Sequence, residues 1–224
     1  MRHRHPIETA ALPGTKQRLI DAGVGLMRSR GFNATSLDDI CAAAGVTKGG
    51  FFHYFKSKDE IARAAVIEFA EAKARHFQNA PFRKLADPLD RVFGRLDFAI
   101  ESATATRMTK GCLIGMLAQE MSFTNPKLRR ICRELFLRIG QDFEKDLAEA
   151  KAIHAPKAAF DPRNLAALYV TLVQGSIIMA KTADSNAVLV ENLKQFRHYV
   201  QVLFCTSRKS VGKRAARPQG PAST

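Results

Sequence analysis

Residues 44–60 read AGVTKGGFFHYFKSKDE, and this stretch gathers the residue types that hold a polyanion. Thr47 sits where a short helix should begin. A hydroxyl there, with the free N–H groups of the helix start, can donate to phosphate. Gly49 and Gly50 follow. A glycine lowers helix propensity by about 1 kcal/mol relative to alanine, which is tolerable where backbone must approach another molecule closely. Lys48, His53 and Tyr54 project polar groups along the exposed side, whereas Phe51 and Phe55, four apart, face a core. Phe52 has two open roles, contact with a thymine methyl or packing on the protein. Lys58 stands near the start of the next helix, where it can hold a phosphate from the side.

Two short helices must position these groups. Ser36 and Asp39 fit the S-x-x-D/E capping box, so a helix begins near residue 37. Leu37, Ile40 and Cys41 give it an apolar face. Ala43, Ala44 and Gly45 end it, and Gly45 supplies the positive φ of a tight turn. Thr47 then caps a second helix, expected over 48–54. Ser57 and Glu60 form a further capping box before a long helix over 58–78. Two short helices joined by a glycine turn are the helix-turn-helix signature, in which the second helix enters the major groove.

The remainder is helical in period, with no sustained alternation of period two. Leu19, Ala22, Leu26 and Met27 mark a helix over 16–30, stopped by Gly31. Asp87-Pro88, Asn125-Pro126 and Asp161-Pro162 each place a capping residue before a first-turn proline. The expected fold is all-α, with about nine helices. Its expected parts are an N-terminal arm over 1–14 without regular structure, a helix-turn-helix domain over 15–62, a larger helical domain over 63–206, and a disordered basic tail over 207–224.

The 224 residues carry a net charge of +14, which favours nucleic acid or an acidic surface as partner. No apolar run is read as reaching the ~20 residues that span a bilayer, so no membrane partner is expected. The start lacks the apolar segment of a secretory signal, and the four cysteines form no C-x-x-C. A reducing cytoplasm fits. The histidines do not cluster at metal-ligand spacing, and no H-E-x-x-H, G-x-S-x-G, P-loop or G-x-G-x-x-G motif occurs. Neither a metal, a cofactor nor an enzyme is expected.

The stretch TSLDDICAAAGVTKGGFFHYFKSKDEI, preceded by RLIDAGVGLMRSRGF, resembles the DNA-binding domain of the TetR/AcrR family of bacterial repressors. The match spans residue 16 to about 65, on the pattern T-x-x-x-I-x-x-x-A-G-V-x-x-G-x-x-x-Y-F-x-x-K. It implies a tetracycline repressor-like fold, a homodimer on a palindromic DNA operator, a small-molecule effector bound by the C-terminal domain, and a place at the bacterial nucleoid. The DNA-contacting set is then Thr35, Ser36, Thr47, Lys48, Gly49, Gly50, Phe52, His53, Tyr54 and Lys58. Where relatives often carry Thr or Ser, then Leu or Ile, then Tyr, this chain has Gly50, Phe51 and Phe52. That removes a hydroxyl and a tyrosine phosphate contact, and shifts specificity towards Lys48, His53 and backbone fit.

In the larger domain, Phe93, Leu96, Ile100, Met116, Met121, Phe136, Ile139 and Phe143 are candidates for a pocket lining or for plain core. The stretch TKGCLIGMLAQEM, residues 109–121, carries a G-C-L-x-x-x-L-A-x-E pattern similar to one branch of the family. There Cys112 opens a helix with Lys110 two residues before it, and is either a sensor of electrophiles and oxidants or a small buried residue. Lys181 is a possible charge partner, so Cys112, Met116, Phe136, Ile139, Phe143 and Lys181 form the expected effector set. Helices near 162–182 and 186–205 are expected to pair two subunits through Leu168, Leu172, Gly175, Met179, Leu193, Phe196 and Val200. A non-specific architectural DNA binder and an all-helical enzyme are the alternatives. The large apolar C-terminal part argues against the first, and the missing catalytic motifs argue against the second.

Overall fold

The computed structural model describes residues 14–106 and 110–214. Within them lie nine α-helices, one 3-10 turn and no strand. The helices are α1 (Thr15–Arg30), α2 (Leu37–Ala44), α3 (Lys48–Tyr54), α4 (Lys58–Gln78), α5 (Pro88–Ala105), α6 (Leu113–Met121), α7 (Pro126–His154), α8 (Pro162–Thr182) and α9 (Ala187–Arg214). The 3-10 turn is Pro81–Lys84. α9 continues past 206, where the tail was expected to start; residues 215–224 and most of the N-terminal arm lie outside the described residues.

Helix starts follow their caps. Ser36, Thr47, Ser57, Asp87, Asn125 and Asp161 each accept a backbone N–H from their own first turn. At α2 the box is reciprocal: Asp39 N–H donates to Ser36 Oγ at 3.1 Å, and Ser36 N–H donates to Asp39 at 2.9 Å. The Ser36 hydroxyl and amide, with Arg30 beside them, hold the Asp39 carboxyl down at about 2. At α4 the reciprocal half is shifted by one residue, and Glu60 accepts from Lys56 N–H at 2.7 Å.

Two cores form. The first joins α1–α4 to α6 and the first half of α7, with Leu19, Ile40, Phe51, Ile61, Leu117 and Leu128 at its centre. The second joins α5, the rest of α7, α8 and α9 around Leu96, Phe143, Leu147 and Val200. Packing therefore crosses the expected boundary at 62: α6 and the start of α7 close the core of the helix-turn-helix region.

Several expectations for the C-terminal region change. Leu193, Phe196 and Val200 are 2%, 3% and 0% exposed, inside the chain's own second core, so they are not available to a partner subunit. Phe143 is likewise fully buried core. By length and a mean hydropathy of 1.4, α8 could cross a membrane, contrary to the reading that no apolar run approaches that length. Here it packs between α7 and α9 and leaves Leu168, Ile178 and Met179 exposed.

A polar network ties the 3-10 turn and α5 to α7. The buried Asp146 carboxylate accepts from Arg83 Nη1 at 3.0 Å and from Arg91 Nε at 3.1 Å, and Arg91 also pairs with Glu149. Removing the carboxylate leaves two partly buried cations without it. Asp146→Asn should lower unfolding stability by about 3 kcal/mol, read as a shifted urea midpoint with unchanged slope.

Candidate functional site

The α2–α3 unit is built from the turn outwards. Gly45 adopts φ 62°, ψ 42°, and Val46 N–H returns to Cys41 C=O at 2.9 Å. Thr47 Oγ1 accepts from Gly50 N–H at 3.1 Å and so starts α3. Phe51 and Phe55, 0% and 3% exposed, anchor its inner side. The two glycines have different reasons. A Cβ on Gly50 would meet Val46 Cγ1 at 2.8 Å, so this glycine serves the turn, whereas Gly49 faces open space apart from Thr47.

The outer side of α3 carries Thr47, Lys48, Gly49, Phe52, His53 and Tyr54, all exposed. The Phe52 ring stands edge-on to Phe51 at 5.4 Å between centroids, and His53 and Tyr54 make a similar contact at 4.7 Å. This fixes aromatic surface in the position of a groove reader. Lys48 is not free: its ammonium meets the Asp38 carboxylate of α2 at 2.8 Å, and that hydrogen bond raises the lysine pKa.

Three residues assigned to DNA contact have internal roles. Thr35 is fully buried, and its hydroxyl donates to Gly31 C=O at 2.6 Å, so it cannot reach DNA. Ser36 is exposed, but its hydroxyl donates to Asp39 at 2.6 Å within the cap. The Lys58 ammonium donates to Phe32 C=O and Thr35 C=O, each at 3.0 Å, and lies 4.2 Å over the Phe32 ring. Two of its three donors hold the α1–α2 loop to the start of α4.

That same loop receives α6. The Glu120 carboxylate accepts from Phe32 N–H at 3.1 Å and from Asn33 N–H at 2.8 Å. Gly31, at φ 91°, lies so close that a Cβ would collide with the carboxylate. At the other end of α6, Arg28 Nε donates to Gly111 C=O at 3.1 Å. Beyond α6, Asn125 Nδ2 donates to Asp59 of α4 at 2.7 Å. Glu120 was visible in the sequence only as the last letter of L-A-x-E, with no reason for an acid there.

On its opposite flank α6 walls an open groove of about 1280 Å³, completed by α7 and α8. Of the expected effector set, only Phe136 lines it. Met116 lies over Gly111, Ile139 packs on the first core, Phe143 is buried in the second, and Lys181 is exposed near the end of α8. Cys112 is 9% exposed at the N-cap of α6. Burial lowers the pKa values of the nearby Arg28 and Lys73, and for Lys73 the Arg28 charge adds to this. The groove residues missed in the sequence include Gln119, Gln141 and Gln174, with Arg133 and Lys145. Their signal is the recurrence of small residues beside polar ones, Gly140 and Ala148 on α7 and Ala167 on α8, where a core would carry large apolar side chains.

Comparison with known proteins is consistent along the chain. Residues 19–65 match the family described as bacterial regulatory proteins, tetR family. Residues 88–195 match the C-terminal domain of LmrA/YxaF-like transcriptional regulators. An HTH-type transcriptional regulator from the lacX 3' region of Lactococcus lactis is 26% identical over 93% of this chain and 100% of its own length. The HTH-type transcriptional repressor DhaR of Mycobacterium sp. (strain GP1) is 26% identical over 74% of this chain and 82% of its own. The crystal structure of a TetR regulatory protein from Rhodobacter sphaeroides superposes with a TM-score of 0.73 at 27% identity, covering 82% of this chain and 97% of that one.

Two substitutions separate internal from DNA-facing charge. Lys58→Met should destabilise the fold by about 1–3 kcal/mol through loss of its two charged hydrogen bonds; an unchanged Tm would mean the lysine serves only DNA. Asp38→Asn frees Lys48. It should raise affinity for mixed-sequence duplex DNA and steepen the log–log salt dependence by about 0.9, one phosphate equivalent. Fluorescence anisotropy across a salt series reads both quantities, and an unaltered slope would remove Lys48 from the DNA-facing set.

Proposed function

The chain belongs to the TetR family of bacterial transcriptional regulators, and from that premise we propose that it acts as a homodimeric repressor released from a palindromic operator by an effector in its C-terminal domain. As a family member it is a DNA-binding regulator of transcription and not an enzyme. The observation that carries the proposal is the double duty of α6. One flank walls the groove, and its two ends are hydrogen-bonded to the α1–α2 loop and to α1.

In this reading Thr47, Lys48, Gly49, Phe52, His53 and Tyr54 face the major groove, with the Phe52 ring available to a thymine methyl. Two copies related by a two-fold axis present their α3 helices about 34–36 Å apart, one helical turn of DNA. The dimer face is Leu168, Leu172, Gly175, Ile178 and Met179 of α8 with Tyr199 and Val202 of α9. Exposure of Leu168, Ile178, Met179, Tyr199 and Val202 at 41–57% supports it. The last two replace the buried Leu193, Phe196 and Val200. A partner helix rather than lipid covers the apolar flank of α8. A ligand in the groove shifts α6, and α6 carries the α1–α2 loop and α4 with it. A preference of about 1–3 kcal/mol for the non-binding form lowers operator affinity 5- to 150-fold. The protein then works in the cytoplasm, on the nucleoid.

A second reading rests on Cys112. Cys112 is buried in the first core at the start of α6, next to the Gly111 carbonyl that Arg28 of α1 holds and within electrostatic reach of Arg28 and Lys73, so an adduct there would wedge the packing of α6 on α1 apart. These cations, rather than Lys181, are its charge partners.

Gel shift on the upstream intergenic DNA, with light scattering for the oligomer, tests the main reading. Specific binding by a dimer is expected; a monomer, or binding indifferent to sequence, would overturn it. N-ethylmaleimide should release wild type but not Cys112→Ser if the second reading holds. Glu120→Gln tests the coupling, because Phe32 and Asn33 donate to different carboxylate oxygens and the amide replaces one of these with a donor NH2. It should lower operator affinity at least fivefold, equivalent to about 1 kcal/mol, while leaving affinity for non-specific DNA unchanged.

A further inference from the structure

Most of the charge around the α6–α7–α8 groove has no internal use. Arg129 and Arg133 stand at one end of the groove, Lys145 and Arg163 at the other, and Glu144 is the acid among its lining residues. Arg129 donates at a long 3.4 Å to Ser122 C=O. The side chains of Arg133, Lys145 and Arg163 make no hydrogen bond or ion pair among the described residues. Elsewhere in this domain Arg83 and Arg91 hold Asp146 and Arg197 holds Asp97 at 2.6 Å, whereas the buried Arg95 leaves Nε and Nη2 without a hydrogen-bond partner among the described residues and packs on the Phe77, Phe82 and Phe143 rings. Between the two cationic ends the floor is apolar, with Cys132 and Ala166 each 1% exposed beside Phe136 and Val170. At 1.5 Å per residue of helix, the twelve residues from Arg133 to Lys145 place the ends roughly 18 Å apart.

We infer that this groove binds an elongated amphipathic organic anion, its apolar body on Phe136, Val170 and Ala166 and its acidic group at one of the two basic ends. The inference names a ligand class for the groove and rests on the effector reading above. A neutral body alone would leave Arg133, Lys145 and Arg163 to solvent, whereas an acid gains charge-assisted hydrogen bonds from exposed cationic donors at the rim of an apolar floor. The chain's own ends do not fit, because residues 207–224 carry five basic side chains and no acid, and the N-terminal arm is also net basic. A second copy would bring the same positive rim. The exposed apolar residues of α8, Leu168, Ile178 and Met179, lie outside the groove lining, and the proposed dimer face meets the groove only at Gly175.

The test uses full-length protein and two fluorescent probes that share one aromatic body. 1-Anilinonaphthalene-8-sulfonate carries a sulfonate, and N-phenyl-1-naphthylamine does not. The sulfonate should bind at least tenfold more tightly. At least one of two charge reversals, Arg129→Glu with Arg133→Glu or Lys145→Glu with Arg163→Glu, should weaken the sulfonate tenfold and leave the neutral probe unchanged. Ala167→Phe, which fills the groove from α8, should abolish binding of the anion. Circular dichroism confirms that each variant is folded. Equal affinity for the two probes, no binding of either, or sulfonate binding untouched by both reversals and by Ala167→Phe overturns the inference. Operator release is read separately by gel shift. Selective anion binding that leaves the operator complex intact would sustain the ligand class and sink the effector reading.

Discussion

The structure turns on a loop of five residues, 31–35, that two separate helices hold at once and that closes on itself. Glu120 of α6 accepts its N–H groups at Phe32 and Asn33, Lys58 of α4 donates to its carbonyls at Phe32 and Thr35, and Thr35 closes it on Gly31. The loop is also the approach to α2, and hence to α3. It cannot absorb a shift of α6 by bending in isolation, because its polar groups at Gly31, Phe32 and Thr35 and the Asn33 N–H are already committed to neighbours. Gly31 is required twice over, for its φ of 91° and for the lack of a side chain beside the Glu120 carboxylate. α6 has nine residues, too few to be stable as an isolated helix, so its position depends on the contacts at its ends and flanks.

This arrangement explains why the helix-turn-helix region is not a self-contained unit. Its core includes Leu113, Ile114 and Leu117 from α6, and Leu128, Cys132 and Leu135 from α7. Without them the inner faces of α1 and α4 would lose an apolar cover. A boundary at 62 looks natural along the chain, because the motif ends there and a long helix has just begun. Packing follows surface rather than motif, and α4 carries the first core on to Ala70.

What the sequence revealed follows from the range of each interaction. Caps are local, and Ser36, Thr47, Asp87, Asn125 and Asp161 placed five helix starts to within a residue. Core facing within α3 was legible for the same reason, since Phe51 and Phe55 are one turn apart. Dimer and effector residues were harder. Leu193, Phe196 and Val200 share an apolar stripe that either a partner subunit or the chain itself can cover, and only the packing of α5, α7 and α8 against α9 decides between them. Lys58 looked like a phosphate ligand because its carbonyl partners are 23 and 26 residues away in sequence. The groove was missed because its signature is a shortage of bulk, Gly140 and Ala148 where Leu or Phe would close the gap, and shortage has no periodicity to detect.

The direction in which α6 can move is itself constrained. Gly115 sits against α8 so closely that a Cβ there would meet Gln174 Oε1 at 2.6 Å. α6 therefore has no room to advance towards α8 unless Gln174 leaves its place, and a ligand that enters the groove occupies the same side. An occupant that leaves Gln174 in place can only hold α6 where it is or press it towards α1 and the loop. A ligand shifts an equilibrium by no more than its difference in affinity for the two states. If the groove holds the effector, as proposed, it must differ in shape between the DNA-bound and released forms, and Gln174, which both lines the groove and blocks α6, is the side chain placed to carry that difference. An occupant that displaces Gln174 lets α6 relax towards α8 and strains the Glu120 contacts with the loop. One that leaves Gln174 in place locks the helix and strengthens the DNA-binding form. The same groove can thus answer to an inducer or to a co-repressor, according to whether the bound molecule competes with that one amide.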